Sequence, residues 1–538
     1  MAICAPLRSD SERLPPVAVS QTSAELRQII ASGRLSSLHI PDFRDIQPSL
    51  SALYEENAYA PLWLAEAIVT PKGEAIMNEL DGSGSKGLNP EDYDSAALRP
   101  WAFRIRDAGG TAHDFAALDL ALTVDLMRYA AALHQGRIDP HRVHFAIRPK
   151  DRLDSAGFVR DYLASDQSLS ALLTQIEPPF RGYRNTLAAL VQYRQLASQE
   201  SSKLPQWPRL PLRSGQNYPD ISTLAERLVL LGDLPSETAV QSGKYDGAIV
   251  DAVKKLQARH GLAVTGTLDA VTWRALTTPL SKRIEQLELT LERWRWLPSM
   301  VTPAIVVNIP EFELRAYDEN RQLALRMHVI VGKAYRRRTP VFEDKLETVI
   351  IRPWWNVPLS IQRDEIIPEI RSHPEYLEKN QLRAFDNDGN PAPVPAGEEL
   401  LNRLNTGELR LRQEPGPSNS LGLLKFDFPN DYSVYMHGTP ARQLFSQARR
   451  DFSHGCIRVE DPDSLAEWVL RHDSAWSREK ITSASNGERT FRIPVLPPVT
   501  VLVLYGTAVV EEDGSVHFFD DLYGYDAELK AALNAARN

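Results

Sequence analysis

Cysteine is almost absent from this sequence, in which Cys4 and Cys456 are the only two among 538 residues. A disulfide framework is therefore excluded, although a single bond between these two cysteines is compatible with the sequence. Because cysteine-poor proteins occur inside and outside the cell, this scarcity does not indicate a compartment.

Long apolar runs are absent as well. The longest, at about 499–510, is interrupted by Tyr505, Gly506 and Thr507 and is too short to cross a bilayer. The opening segment, MAICAPLRSDSERLPP, has neither a basic region nor an apolar stretch of the kind that forms an export signal. We therefore expect a soluble chain whose signal, if the protein is exported, has been removed.

An excess of positive charge is also lacking, since 61 basic and 70 acidic residues give a net charge of −9. This balance argues against nucleic acid as a partner, because phosphate binding needs a basic surface. Hydrophobic residues at 43% and charged residues at 24% are typical of a soluble globular protein. The length exceeds what one hydrophobic core supports and predicts roughly three or four domains.

The first half of the chain reads as helical. Residues 1–40 are polar and predict a leader of low order, followed by a helical domain at 41–213 that ends in a proline-rich linker. Residues 214–282 predict a compact unit of three short helices, the first with apolar residues at helical spacing and the third capped by Thr267.

Beyond residue 298 the pattern changes to short segments rich in β-branched residues, which predicts a β-rich domain over 298–510. Segments of helical character at about 359–412 interrupt it, and an insertion of that size between strands is often a functional lid. We expect the remaining residues, 511–538, to pack as a C-terminal extension on one of the larger domains.

The most informative segment is Ser453-His454-Gly455-Cys456, which is followed by Arg458 and preceded by the pair His437-Gly438. A thiol attacks as the thiolate, and a nearby imidazolium lowers its pKa into the accessible range. A glycine beside the thiol lets the backbone approach a substrate and can leave N–H groups free to hold an oxyanion. The combination predicts acyl transfer through a thioester.

This segment resembles the signature of the L,D-transpeptidases, enzymes with a YkuD-type catalytic domain, and in particular their large branch. The resemblance extends to other segments: Trp355-Asn356-Val357-Pro358, Pro415-Gly416-Pro417-Ser418-Asn419, Leu421-Gly422, Lys425-Phe426, Gly87-Leu88-Asn89-Pro90-Glu91-Asp92-Tyr93, Tyr245-Asp246 and His260-Gly261-Leu262. It implies a multidomain α+β fold with an α-helical scaffold domain, a three-helix peptidoglycan-binding module and a β-sandwich-like catalytic domain carrying an inserted lid.

The resemblance also implies a reaction. A thiolate attacks the L,D-peptide bond of a tetrapeptide stem and releases the terminal D-alanine, and the thioester then passes to an amine of a second stem, giving a 3→3 cross-link. Carbapenems would acylate the same cysteine. The family needs no cofactor, works in the periplasm, and has peptidoglycan stem peptides, glycan strands and other wall-synthesis proteins as partners.

Each motif residue then receives an expected role. Cys456 is the nucleophile and His437 the base, which the family places roughly 3–4 Å from the sulfur. The Gly438 carbonyl orients that imidazole, and the N–H groups of Gly455 and Cys456 hold the oxyanion. For the His454 ring, a structural role and a chemical role both stay open.

Substrate contacts are expected from a second group of residues. Arg458 either binds a stem-peptide carboxylate or anchors its loop through an internal salt bridge. Ser453 either binds substrate or bonds its own backbone. By resemblance Asn419, Tyr435 and Trp355 lie near the cleft, although a tryptophan such as Trp355 more often lies in the core.

Other functions stay open at this point. Zinc bound by His437, His454 and Cys456 is disfavoured, because a His-x-Cys turn has poor chelating geometry and no fourth ligand is evident, so we expect no metal. The same acyl-enzyme could serve an L,D-carboxypeptidase, a D-amino acid exchange enzyme or an enzyme that anchors proteins to the wall. A non-catalytic wall-binding scaffold and a general cysteine protease are the alternatives from other classes.

Overall fold

The computed structural model describes residues 19–65, 68–148, 150–201, 203–208, 211–238, 243–298, 302–334, 337–395 and 397–536. Cys4, and with it any bond to Cys456, lies outside the described residues, as does most of the predicted leader. From residue 19 onward the prediction of low order is wrong, because Val19–Ser32 form a helix, α1, that buries Leu26, Ile29 and Ile30. Because these residues have i, i+3, i+4 spacing, they form one apolar face, and this face packs on the neighbouring helices although the surrounding sequence is polar.

The N-terminal helical region encloses one hydrophobic core around α5, a long helix buried on nearly every side. A capping box formed by Thr111 and Asp114 starts this helix. The elements of this region are α1 Val19–Ser32, α2 Gln47–Glu56, β1 Leu64–Ala65, β2 Ile68–Val69, α3 Pro71–Asp81, α4 Ser95–Ala108, α5 Ala112–Gln135, β3 Phe145–Ala146, α6 Ser155–Ala164, α7 Leu169–Ile176 and α8 Arg181–Ser198. Of these, β3 and α8 pack into the core of the large sheet and not into the core around α5.

The next unit has a small core of its own. It consists of β4 Gln216–Asn217, α9 Ile221–Leu230, β5 Lys244–Tyr245, α10 Gly247–Arg259 and α11 Ala270–Thr277. The predicted cap of the last helix is wrong by two residues, because Asp269 rather than Thr267 accepts the hydrogen bond of the Thr272 N–H. A carboxylate fits the N-cap position as well as a hydroxyl does.

The catalytic-region strands form one sheet that closes on itself. The strands are β6 Ala304–Asn308, β7 Glu313–Tyr317, β8 Leu323–Gly332, β9 Val341–Ile351, β13 Leu424–Asp427, β14 Met436–His437, β15 Asp451–Ser453, β16 Ile457–Val459 and β17 Phe491–Leu504. Their hydrogen-bonded order is β13-β14-β16-β8-β7-β6-β17-β9, and β9 pairs again with β13, while β15 pairs with β8. The expected β-sandwich-like domain is thus formed by one continuous sheet that encloses the hydrophobic core.

The helical region is joined to this sheet directly. The helix α12 Leu280–Trp296 packs on α8 and leads into β6, and β3 adds to the sheet as a parallel neighbour of β9, with Phe145 opposite Val341. Buried Glu292 of α12 accepts hydrogen bonds from the N–H groups of Arg137 and Ile138 just after α5.

The insertion between β9 and β13 has its own hydrophobic core, as expected for a separate subdomain. It comprises β10 Trp355–Asn356, α13 Leu359–Ile361, α14 Ile367–Ser372, α15 Tyr376–Lys379, β11 Leu382–Phe385, α16 Glu398–Thr406 and β12 Arg410–Gln413. A π-helical turn, Gln362–Ile366, separates α13 from α14.

The C-terminal part packs on both α12 and the sheet. The helices α17 Pro462–Val469 and α18 Arg478–Asn486 precede β17 in the chain. The elements that follow β17 are β18 Ala508–Val510, β19 Val516–Phe518 and α19 Tyr525–Ala535. Asp526 pairs with Arg293 of α12 at 2.5 Å, and the Tyr523 hydroxyl donates to the Gly332 carbonyl at the end of β8. Within the described ranges, no helix is both long and apolar enough to cross a membrane.

The buried carboxyl group of Asp125 in α5 has no hydrogen-bond donor to stabilise a negative charge. Both oxygens of Asp125 are buried without a hydrogen-bond partner, and burial together with the nearby Asp94 carboxylate raises the pKa of Asp125 well above its usual value. The folded protein therefore holds a proton that the unfolded chain releases, and the free energy of unfolding falls as the pH rises above about 4.

We predict that Asp125→Asn raises the free energy of unfolding at pH 7.5 by about 1 kcal/mol, a typical size for a single substitution, because the amide holds no proton that the unfolded chain would release. Calorimetric unfolding at pH 5 and pH 7.5 measures the effect, which should be larger at the higher pH. Asp119→Asn in the same helix is the matched control and should destabilise, because Asp119 accepts hydrogen bonds from Tyr54 and from the Leu62 and Trp63 N–H groups. A lower unfolding temperature for Asp125→Asn at pH 7.5 would contradict the prediction.

Candidate active site

The register of two short parallel strands brings the motif residues together. Met436 of β14 pairs with Ile457 of β16, and His437 pairs with Arg458. Because side chains alternate along a strand, Met436 and Ile457 enter the buried core, whereas His437 and Arg458 share the opposite face. Cys456, one residue before β16, falls on that same face.

Two further side chains complete this face. Tyr435 precedes β14 by one residue, and its ring centroid lies 5.6 Å from that of His437. On the other side of β14, Lys425 of β13 pairs with His437, and its Nζ lies 4.1 Å from the centre of the Tyr435 ring. The site is thus a row of one thiol, one imidazole, one phenol and two cations.

A tight turn between β15 and β16 presents the thiol. The Ser453 hydroxyl donates to the Cys456 carbonyl at 2.5 Å and accepts the Gly455 N–H at 3.1 Å. Gly455 has φ +119°, a conformation that favours glycine. Of the two roles left open for Ser453, the structure shows the bond to its own backbone, and the side chain is buried.

The turn is held from below by residues that are distant in sequence. The Thr339 hydroxyl donates to the Gly455 carbonyl at 2.8 Å and accepts the Gly332 N–H at 2.9 Å. The Tyr523 hydroxyl in turn accepts the Thr339 N–H at 3.2 Å. The C-terminal extension therefore supports the position of the thiol.

The imidazole of His437 has a fixed orientation. Its Nδ1–H donates to the Gly438 carbonyl at 2.5 Å, as expected from the sequence, so that Nε2 is the nitrogen without a proton. Gly438 is held in turn by its N–H, which donates to the Leu424 carbonyl at 2.9 Å. Gly422 packs against it so closely that a Cβ there would lie 2.7 Å from the Thr439 nitrogen.

The ionisation of the pair differs from the expectation of a thiolate beside an imidazolium. Burial, helped by the charges of Arg458 and Lys425, lowers the pKa of His437 to about 3. Burial also raises the pKa of the Cys456 thiol, although Tyr435 and the two cations oppose this shift. At neutral pH both groups are therefore uncharged, because desolvation outweighs the electrostatic attraction that the sequence suggested.

The expected direct hydrogen bond between thiol and imidazole is also missing from this structure, in which both residues are described. The Cys456 Sγ instead lies 3.9 Å from the Ser433 carbonyl oxygen and interacts with the Tyr435 hydroxyl. The strand register explains this, because Cys456 stands opposite Tyr435 and only diagonal to His437.

Arg458 has a guanidinium without an ionic partner. No carboxylate of the described chain forms a salt bridge with it, and its buried Nε has no hydrogen-bond acceptor. Burial lowers the pKa of Arg458, which the neighbouring Cys456 partly offsets. The internal salt bridge that the sequence left open is therefore not formed, whereas Lys425 is paired with Asp427 at 2.9 Å.

The other expected substrate residues are distributed unevenly. Asn419 is fully buried, and its side chain donates to the Glu414 carbonyl at 2.9 Å and accepts the Leu421 N–H at 2.8 Å, so it holds a loop and does not face the cleft.

Trp355 of β10 is half-buried and interacts with the Tyr435 hydroxyl. Tyr435 itself contacts the thiol, a different role from the one expected. His454 Nε2 lies 2.5 Å from a carboxylate oxygen of Glu365 in the insertion.

Several site residues were missed from the sequence, namely Lys425, Thr339, Gly422, Glu365 and Tyr523. Lys425 was within reach, because it alternates with two buried residues in a strand that the resemblance had already included. The others come from distant segments and carry no local signal. Across the part of the chain that the structure describes, no cluster of His, Cys, Asp and Glu side chains could hold a metal ion.

Comparison with known proteins agrees with this geometry. Residues 302–503 match the family "YkuD: L,D-transpeptidase catalytic domain", residues 48–190 match "Scaffold domain", and residues 217–276 match "Putative peptidoglycan binding domain". A Haemophilus influenzae protein named "Putative L,D-transpeptidase" is 31% identical over 291 residues, which are 54% of this chain and 58% of the relative. The chain thus matches somewhat more than half of that relative's length.

A solved structure was also found, the crystal structure of the L,D-transpeptidase (residues 123–326) from Xylanimonas cellulosilytica. The match covers 56% of this chain and all of the other, at 16% identity and a TM-score of 0.17, which is too low to support a conclusion. The family models, however, match residues 302–503 to an L,D-transpeptidase catalytic domain and two further segments to a scaffold domain and a peptidoglycan-binding domain. These three matches confirm the predicted resemblance and the α+β fold class.

The uncharged state of the Cys456 thiol predicts how its rate of alkylation depends on pH. We expect the rate of Cys456 alkylation by iodoacetamide to rise with pH to above pH 9, and Tyr435→Phe to move this rise to higher pH, because Tyr435 lowers the thiol pKa. The measurement uses a Cys4→Ser background, with labelling followed by mass spectrometry. Tyr432→Phe, an exposed tyrosine three positions earlier, is the control. A wild-type inflection near pH 6 or 7 would contradict the uncharged resting thiol.

Proposed function

We propose that this protein is an enzyme that transfers acyl groups between peptidoglycan stem peptides, with Cys456 as the nucleophile. The observation that supports this most directly is the strand register, which puts Cys456, His437 and an unpaired Arg458 on one face. Together with the match to the L,D-transpeptidase catalytic domain, it favours a 3→3 cross-linking reaction through a thioester.

In the first step the sulfur attacks the carbonyl carbon of the L,D-peptide bond, and the thiol proton passes to Nε2 of His437. Because the Nδ1–H is held by the Gly438 carbonyl, Nε2 is the available base. The protonated imidazole then gives this proton to the departing D-alanine amine as the C–N bond breaks. A modest side-chain rotation brings thiol and imidazole together, as is common when an unliganded site binds substrate.

The oxyanion needs backbone donors, and only one of the two expected from the sequence is free. The Gly455 N–H already donates to the Ser453 hydroxyl. The Cys456 N–H makes no hydrogen bond to any described residue and is the donor we assign to the tetrahedral intermediate. Gly455 contributes through its positive φ, which aims the following N–H.

In the second step an amine of another stem attacks the thioester, and His437 again moves the proton. Water, a free D-amino acid or a lysine of a protein in place of that amine would give the alternative activities. The matches to a wall-enzyme domain and a peptidoglycan-binding domain support action outside the cytoplasm, with peptidoglycan as the partner. We propose the periplasm as the location and carbapenems as reagents that acylate Cys456.

Product analysis tests the proposed reaction. With a disaccharide-tetrapeptide substrate we expect mass spectrometry to show cross-linked dimers and free D-alanine. Cys456→Ala should abolish both, and His437→Ala should slow acylation by roughly 10²–10⁴-fold. Tripeptide without dimers would favour the carboxypeptidase, whereas unchanged wall chemistry in cells carrying Cys456→Ala would favour the non-catalytic scaffold. Cleavage of ordinary L,L-peptides would point to a general protease.

Arg458 gives a separate prediction about substrate recognition. If its guanidinium binds a stem-peptide carboxylate, Arg458→Met should lower kcat/KM by about 10- to 100-fold, the loss of a charged hydrogen bond. A donor whose corresponding carboxylate is amidated should lose a similar factor with the wild type but little with the variant. Equal and independent losses for both changes would show that Arg458 does not contact that carboxylate.

A further inference from the structure

One carboxylate connects the insertion to the turn that carries the thiol. Oε1 of Glu365 lies 2.5 Å from Nε2 of His454 and 2.6 Å from Nη1 of Arg337. Glu365 belongs to the π-helical turn of the insertion, and π turns occur often at functional sites. The neighbouring Asp364 reaches Arg337 only at 3.7 Å and has no bond to His454.

Both partners of Glu365 belong to the support of the nucleophile. His454 stands two residues before Cys456 in the tight turn. Arg337 lies in the loop that follows β8, whose Thr339 donates to the Gly455 carbonyl. Glu365 therefore spans the two segments that fix the thiol, and it does so from a separate subdomain.

The π turn is rigidly attached to the insertion. The buried amide of Gln362 donates to the Leu404 and Leu409 carbonyls at 2.7 and 3.0 Å and accepts the Leu411 N–H at 2.8 Å. Ile366 packs into the core of the insertion. Movement of the whole insertion therefore carries Glu365 with it, and the bonds to His454 and Arg337 must break when the insertion moves away.

The insertion also reaches the mouth of the site, since Trp355 of its small sheet interacts with Tyr435 beside the thiol. The side chain of Glu365 is 47% exposed, so water and salt weaken its ion pairs and a substrate can displace them. Ion pairs of this strength are weak enough to break and re-form each time the insertion opens and closes during turnover.

We infer that Glu365 is a latch that holds the insertion closed over the Cys456 turn, and that its release admits the acyl donor. The inference rests on the proposed role of Cys456 as the nucleophile. It assigns the partly buried ring of His454 a positioning role, because this ring is the part of the latch that belongs to the turn carrying Cys456.

Access to the thiol tests the latch without any need for turnover. In a Cys4→Ser background, Cys456 is labelled with iodoacetamide, which is small, and with a maleimide that carries a polyethylene glycol chain, which is bulky. We expect Glu365→Gln to raise the rate with the bulky reagent by roughly 2- to 5-fold, as expected for loss of an exposed ion pair, and to leave the iodoacetamide rate nearly unchanged. Glu369→Gln is the matched control, an exposed glutamate of α14 that forms no salt bridge with the described residues.

Two further measurements separate the latch from an ordinary surface ion pair. Added salt should raise the wild-type rate with the bulky reagent but leave that of Glu365→Gln nearly unchanged. Arg337→Gln should mimic Glu365→Gln, and the double variant should add little, because both changes open the same contact. Equal changes with both reagents, or no difference from Glu369→Gln, would overturn the latch. Faster bulky labelling in a protein that makes no cross-links would support the latch and reject the proposed reaction.

Discussion

The parallel pairing of β14 with β16 is the constraint on which the site depends. Each strand is only two or three residues long, yet the alignment of His437 with Arg458 decides which side chains enter the core and which share the opposite face. A shift by one residue would bury Arg458 and expose Ile457, at a cost that the apolar core does not tolerate. The chemistry is therefore fixed by the same pairing that fixes the fold.

Burial then sets the character of the reacting groups. The imidazole is enclosed beside two cations, which disfavours its charged form, and the thiol is desolvated, which disfavours the thiolate. Without substrate, the thiol and the imidazole therefore do not form an ion pair. In the proposed mechanism the negative charge would develop only during attack and close to Arg458 and Lys425, so their electrostatic stabilisation would act on the transition state rather than on the ground state.

The sequence predicted the parts of this arrangement that are local. The two-residue spacing from Cys456 to Arg458 and the pair His437-Gly438 carry their own signal, and the family resemblance supplied the domains. Contacts between distant segments were out of reach, as the supports from Thr339 and Tyr523 show. Asn419 illustrates a different error, because a motif residue that shapes a loop looks the same in sequence as one that binds substrate. From residue 19 onward the leader was misjudged, because Leu26, Ile29 and Ile30 suffice to dock a helix that is rich in polar residues.

The strand β3 has a consequence for how the enzyme meets its substrate. Since this strand belongs to the helical region yet hydrogen-bonds into the catalytic sheet, the two are parts of one body and not modules on a tether. Cys456 is therefore held at a fixed position relative to the helical region. In the proposed reaction, a peptidoglycan strand would have to pass the helical region at a fixed distance to reach the thiol, so the size of that region would limit which stem peptides can react.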